Sequence, residues 1–180
     1  MSAERLSRMG GKGASTRLFL ALWPDPAVRA ALAGWRDAWA WPRGASPVRD
    51  DKLHMTLHFL GNLPGERVPE LVQGLAVPFS PFRLDLGHAK LWPHGIAVLE
   101  PHMEPDELLQ LHATLAQALA GLGLVPEERK FRPHVTLARR AVNAAPPADG
   151  PPISWDIQGY ALVESRPGNG GGYTVLKTYS

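Results

Sequence analysis

Read for its hydrophobic and polar positions alone, the chain divides into short elements punctuated by proline and glycine. Arg17 to Trp23 is an apolar run that reads as a buried first strand. Asp25 and Pro26 then open a helix, Asp as N-cap and Pro at the first helical position, and Val28, Leu32 and Trp35 recur at helical spacing as far as about Trp39. Pro42 to Asp50 is a loop. A second strand carries Leu53 to Leu57 and ends at Gly61-Asn62, and Pro64 begins a short helix through Val68, Leu71 and Val72. The runs from Phe82 to Leu91 and from Gly95 to Leu99 predict an antiparallel pair turning near Trp92 to Gly95. The clearest helix starts at Pro105-Asp106, presents Leu108, Leu111, Leu115, Ala118, Leu119 and Leu122 on one face, and stops at Gly121 and Gly123. Phe131 enters another strand, and Ala144 to Pro152 is a proline-rich surface loop. Two last strands, about Ser154 to Glu164 and Tyr173 to Tyr179, flank the Gly168 to Gly172 cluster. This order predicts an α+β chain with antiparallel pairing and no run of βαβ crossovers.

Within that pattern one short stretch is written twice. Leu53-His54-Met55-Thr56-Leu57 returns eighty residues later as Pro133-His134-Val135-Thr136-Leu137. With seven His and six Thr in 180 residues, two copies of His-x-Thr-Leu arise by chance on the order of once in a thousand such chains. In a strand, the side-chain period of two puts each His and its Thr on one face and sends Met55, Leu57, Val135 and Leu137 into a core. Two such strands beside one cleft would converge two imidazoles and two hydroxyls on a small volume, a set suited to acid–base work on a phosphate.

Composition narrows the field. The length allows one well-cored unit, and 44% hydrophobic and 20% charged residues are ordinary for a globular chain. A formal charge of only +2 means that affinity for a polyanion must come from a local arrangement, which favours short anionic ends over long duplexes. The absence of cysteine excludes disulfides, thiolate zinc sites and a Cys nucleophile, and suits the cytoplasm. No apolar run approaches the ~18 residues of a membrane span. Residues 1–15, with Gly10 to Gly13 and scattered arginines, read as a flexible leader before a single domain over residues 16–180. His88, His94 and His102 share no metal-ligand spacing and read as surface histidines, His112 as a satisfied histidine beside an apolar stripe, and Trp35, Trp39 and Trp41 as packing.

The paired His-x-Thr motifs resemble those of the 2H phosphoesterases. The longer blocks, Arg17 to Pro24, Leu53 to Gly61, Phe131 to Arg139 and Leu162 to Ser165, resemble the RNA 2′,3′-cyclic phosphodiesterases, also called 2′-5′ RNA ligases, in the expected order. That resemblance implies an α+β fold of two pseudo-twofold lobes, each an antiparallel sheet with outer helices, facing across a central cleft. It also implies metal-independent hydrolysis of an RNA or nucleoside 2′,3′-cyclic phosphate to a 2′-phosphate, without cofactor, by a monomer needing no protein partner or membrane. His134 would activate water and His54 would protonate the departing O3′. The residues alone leave the two assignments open.

Thr56 and Thr136 would donate to the non-bridging oxygens as charge builds on them. The resemblance adds Arg139 as a phosphate cation and Phe59 as a base-stacking residue; Arg132, beside the second motif, either contacts the substrate or flanks the strand. Strict alternation opposes two of these: Arg139 and Phe59 each stand five positions after a motif His and should face the core side unless a bulge or strand end intervenes. With a 5′-hydroxyl replacing water, the reaction joins it to the cyclic phosphate as a 2′-5′ linkage without ATP, and in ~55 M water hydrolysis should dominate. Two rival classes remain: a metal-binding protein, disfavoured by two histidines without paired carboxylates, and a non-catalytic RNA-end-binding module, disfavoured by the presence of both His and both Thr.

Overall fold

In a computed structural model describing residues 15–168 and 171–180, nine strands form one antiparallel sheet in the order β7-β4-β5-β6-β3-β1-β8-β9, with the two-residue β2 on the edge of β6. The strands are β1 (Ser15–Leu22), β2 (Ser46–Pro47), β3 (Met55–Pro64), β4 (Phe82–Trp92), β5 (Ile96–Pro101), β6 (Val135–Arg139), β7 (Ile153–Ile157), β8 (Tyr160–Ser165) and β9 (Tyr173–Tyr179). Three helices accompany them: α1 (Pro26–Asp37), α2 (Val68–Gly74) and α3 (Asp106–Gly121). The expected leader falls almost wholly outside the described residues; its last member, Ser15, is already the first residue of β1 and pairs with Pro64.

The sheet has two halves of four strands, β3-β1-β8-β9 and β6-β5-β4-β7, which meet only where Met55 pairs with Val135. The halves repeat one unit: a strand, a helix, then the motif strand, as β1-α1-β3 and β5-α3-β6. The outer helices are exchanged between them. α1 packs under β6 and β7, and α3 packs under β3, so each half covers its apolar face with the helix of the other. The core between sheet and helices takes Leu18, Leu20, Leu22, Met55, Leu57, Val135 and Leu137 from the strands and Leu32, Leu108 and Leu115 from the helices.

The helix signals are met at α1 and α3, but Pro64, expected to begin the second helix, is the last residue of β3, and α2 starts at Val68 after a 3-10 turn over Gly65–Arg67. Asp25 Oδ1 accepts from Val28 N at 2.8 Å and Pro26 stands at the first turn of α1, whereas α3 starts at Pro105 without a side-chain cap. Trp39 and Trp41 stack at 5.0 Å, and Trp35 donates its indole N–H to Pro151 O, which is packing, as expected. Two strand boundaries also differ from the expectation. Gly61 does not end β3: at φ +80° it is carried through while β1 pairs as far as Pro64. The single strand expected over Ser154 to Glu164 is two strands on opposite halves, β7 against β4 and β8 against β1. The break falls at Gly159, where a Cβ would lie 2.0 Å from Tyr179 O.

Candidate active site

The site is built at the seam. Because Met55 faces Val135 in an antiparallel pair, one step along each strand sets His54 opposite Thr136 and Thr56 opposite His134. The two histidines are then diagonal neighbours on one face. His54, Thr56, His134 and Thr136 all line a single cavity of about 530 Å³.

Each imidazole is oriented in the same way. Nδ1 of His54 lies 2.7 Å from Lys52 O, and Nδ1 of His134 lies 2.7 Å from Arg132 O. A carbonyl only accepts, so Nδ1 carries the hydrogen in both rings and Nε2 is the working nitrogen. His54 Nε2 stands 2.8 Å from Thr56 Oγ1, close enough to accept its hydroxyl hydrogen while the ring is neutral. Aromatic walls enclose both rings. Phe19, Trp23 and Tyr173 lie 4.9, 5.8 and 5.4 Å from His54 between centroids, and Trp92 lies 4.3 Å from His134.

Burial therefore favours the neutral ring in each case. His54 is pushed down to about 4, first by desolvation and then by the positive neighbours His134, Arg29 and Arg139, against the rise from its bond to Lys52 O. His134 is also lowered, first by desolvation, but the backbone of Arg132 and the carboxylate of Glu100 offset part of the fall. Among the described residues the lining includes Arg17, Lys52 and Arg139 and no carboxylate. An anion entering this cavity meets cations, two hydroxyls and two imidazoles whose protonated forms it would stabilise.

The parity argument against Arg139 and Phe59 fails at both positions, for one reason. Leu20 pairs with His58 and Ala21 with Thr56, so Leu57 is an extra residue on β3; Ala97 pairs with Ala138 and Val98 with Thr136, so Leu137 is an extra residue on β6. Each is a β-bulge at the Leu of the motif, and it leaves two successive residues buried, Leu57-His58 and Leu137-Ala138. Beyond it the faces are exchanged. Phe59, 55% exposed, and Arg139 both line the cavity as equivalent residues of the two halves.

Arg132 is placed differently. Its guanidinium donates to Glu100 Oε1 at 2.9 Å and lies 4.3 Å over the Trp92 ring, outside the lining residues, so its backbone carbonyl serves His134 while its side chain frames the wall. Sequence reasoning did not single out Trp23, Trp92, Glu100, Lys52 or Tyr173. A signal for two of them was present: Leu22-Trp23-Pro24 and Leu99-Glu100-Pro101 are a second, fainter echo, each ending the strand beside a motif. The remaining histidines stay apart from the site. His88, His94 and His102 are exposed, and His112 is stacked between His58 and Phe131 at 3.9 Å from each.

Comparison with known proteins converges on one group. The family model described as the 2′-5′ RNA ligase superfamily matches residues 24–168. The RNA 2′,3′-cyclic phosphodiesterase of Thermus thermophilus is 34% identical over 91% of this chain and 89% of its own length, and that of Escherichia coli is 34% identical over 82% and 83%. Among solved structures, E. coli LigT complexed with 3′-AMP superposes with a TM-score of 0.82 at 30% identity, covering 91% of this chain and 97% of that one.

Proposed function

The chain belongs to the 2′-5′ RNA ligase superfamily, and from that premise we propose that it is a hydrolase that opens RNA or nucleoside 2′,3′-cyclic phosphates to 2′-phosphates. The observation that carries the reading is the seam pair Met55–Val135, which puts two His-x-Thr motifs diagonally about one point. The cyclic phosphate sits between them. Its non-bridging oxygens accept from Thr56 and Thr136, and Arg139 supplies a fixed cation where charge builds at five-coordinate phosphorus. His134 Nε2 takes a proton from the attacking water, and His54, protonated once the phosphate anion is bound, gives its Nε2 proton to the departing O3′. The P–O3′ bond breaks as the P–OH bond forms.

The two halves of the cleft differ in character. Phe19, Phe59 and Tyr173 line the β3 half, which suits stacking of the terminal base, while Arg139 belongs to the β6 half and suits the phosphate. Proton transfer between histidines and a phosphate requires no metal. A cysteine-free chain acting on RNA ends fits a cytoplasmic monomer, and none of the described helices is long and apolar enough to cross a membrane. With a 5′-hydroxyl in place of water the same groups drive the same attack on phosphorus, expelling O3′ and leaving a 2′-5′ linkage, the minor outcome in ~55 M water.

The test is regiochemical. Purified protein is incubated with 2′,3′-cyclic AMP in EDTA and the products are separated. Accumulation of the 2′-phosphate is the expected result; a 3′-phosphate, or turnover that EDTA abolishes, would overturn the reading.

A further inference from the structure

The two halves repeat each other residue by residue around the site, so a place where they differ is informative. On one side Ala21 pairs with Thr56 and Leu22 with Met55; on the other Val98 pairs with Thr136 and Leu99 with Val135. One step further, Trp23 stands opposite His54 and Glu100 opposite His134, each followed by a proline. The neighbours of the two histidines are thus an indole in one half and a carboxylate in the other. Trp23 lies nearly parallel to His54, at 25° and 5.8 Å, and adds no negative charge.

Glu100 is held firmly in its place. Its side chain is 15% exposed, and Oε1 accepts both the Trp92 indole N–H at 2.8 Å and Arg132 Nη2 at 2.9 Å, with Lys90 Nζ 3.9 Å from Oε2. Trp92 in turn packs 4.3 Å from His134 and 4.3 Å from the Arg132 guanidinium. The charged and titratable groups about His134 are therefore Glu100 from β5, Lys90 from β4 behind it, Arg132 before β6, Arg139 at the end of β6, and His54 across the seam. Among the described residues, Glu100 is the one anion of this set.

We propose that Glu100 is a positioning residue for His134: facing it across the β5–β6 register, it makes His134 the stronger base of the two histidines and stabilises the imidazolium that forms there. This breaks the functional equivalence that the repeated motif would otherwise give, and it deepens the acid–base reading above, on which it rests. A base works better when its conjugate acid is stabilised, and an acid works better when it is not. The carboxylate beside His134 and the indole beside His54 divide the roles in that sense, and burial of both rings acts on the pair alike.

The experiment is an NMR titration of the imidazole signals in wild type, Glu100→Gln and Glu100→Asp, with pH profiles of 2′,3′-cyclic AMP hydrolysis beside it. In wild type His134 titrates above His54. Glu100→Gln lowers the His134 midpoint by about one pH unit, the scale of a lost neighbouring charge, and leaves His54 where it was. Since His134 has the higher midpoint, the alkaline limb of kcat/KM moves to lower pH while the acid limb stays. Glu100→Asp keeps the charge and keeps the wild-type midpoint more nearly than Gln does. An unchanged His134 midpoint in Glu100→Gln, or equal falls in Gln and Asp, would overturn the assignment and return Glu100 to holding Trp92 and Arg132 alone. The titration reads this without turnover, so absence of hydrolysis in wild type would defeat the proposed function and leave this question separately answered.

Discussion

At the scale of single residues, each motif position has its own cost. Thr56→Ala and Thr136→Ala remove one donor to developing charge and should each lower kcat by about 1–3 kcal/mol in barrier terms, or roughly 5- to 150-fold, with little change in KM. Arg139→Ala removes a charge-assisted partner of the transition state and should cost about 1.5–3 kcal/mol, chiefly in kcat, whereas Phe59→Ala should act chiefly on KM; steady-state kinetics with a purine and a pyrimidine 2′,3′-cyclic nucleotide separate the two. A KM effect for Arg139 and a pure kcat effect for Phe59 would reverse their places. His54, Thr56, His134 and Thr136 were legible because alternation holds over the first three residues of each motif. Arg139 and Phe59 were legible only through resemblance, since a bulge is a property of two strands at once: the extra Leu57 exists relative to β1 and the extra Leu137 relative to β5. Glu100 and Trp23 were hidden because their meaning lies in cross-strand register, which one segment does not contain.

At the scale of elements, the bulge on β3 is backed by a buried histidine stack. His58, 5% exposed, lies 2.8 Å through Nε2 from His112 O, and its ring stacks on that of His112. Desolvation, the leading cause in both, lowers His58 and brings His112 to about 4, His58 adding to the latter. Each is neutral in the folded state above its own lowered value and gains protons more readily when unfolded, near 6.5. Their contribution is complete above the unfolded value and is lost as pH falls through the folded one. Urea midpoints should therefore drop between pH 6.5 and 4, and His112→Phe should flatten that dependence; an equal slope in the variant would contradict the assignment. The break between β7 and β8 makes a second prediction. Gly159→Ala pushes a Cβ into Tyr179 O and should destabilise by about 1–3 kcal/mol, the usual cost of overpacking, read from the same urea curves. The helices were legible because α1 and α3 carry apolar stripes with clear start signals. The β7–β8 break was not, because a continuous apolar alternation hides which half of the sheet each piece joins, and only the contact with β9 forces the glycine.

At the scale of the whole molecule, the repeated motif is the trace of a pseudo-twofold sheet, and the exchange of α1 and α3 between its halves ties the two motifs into one body. The sequence alone reached an α+β order and a paired motif; that the two motif strands are neighbours joined by one residue pair became visible only in the sheet order. The central claim is that His54 and His134 act together on one phosphate. Its most direct test is a double-mutant cycle in kcat for 2′,3′-cyclic AMP hydrolysis, with circular dichroism to establish that the fold is kept. His54→Ala and His134→Ala should each lose roughly 10²–10⁴-fold, the range of a positioned proton-transfer group, and the double variant should lose little more than the worse single one, because either deletion already breaks the shared proton path. Losses that simply multiply in the double variant, or near-wild-type turnover in either single one, would contradict a joint acid–base site.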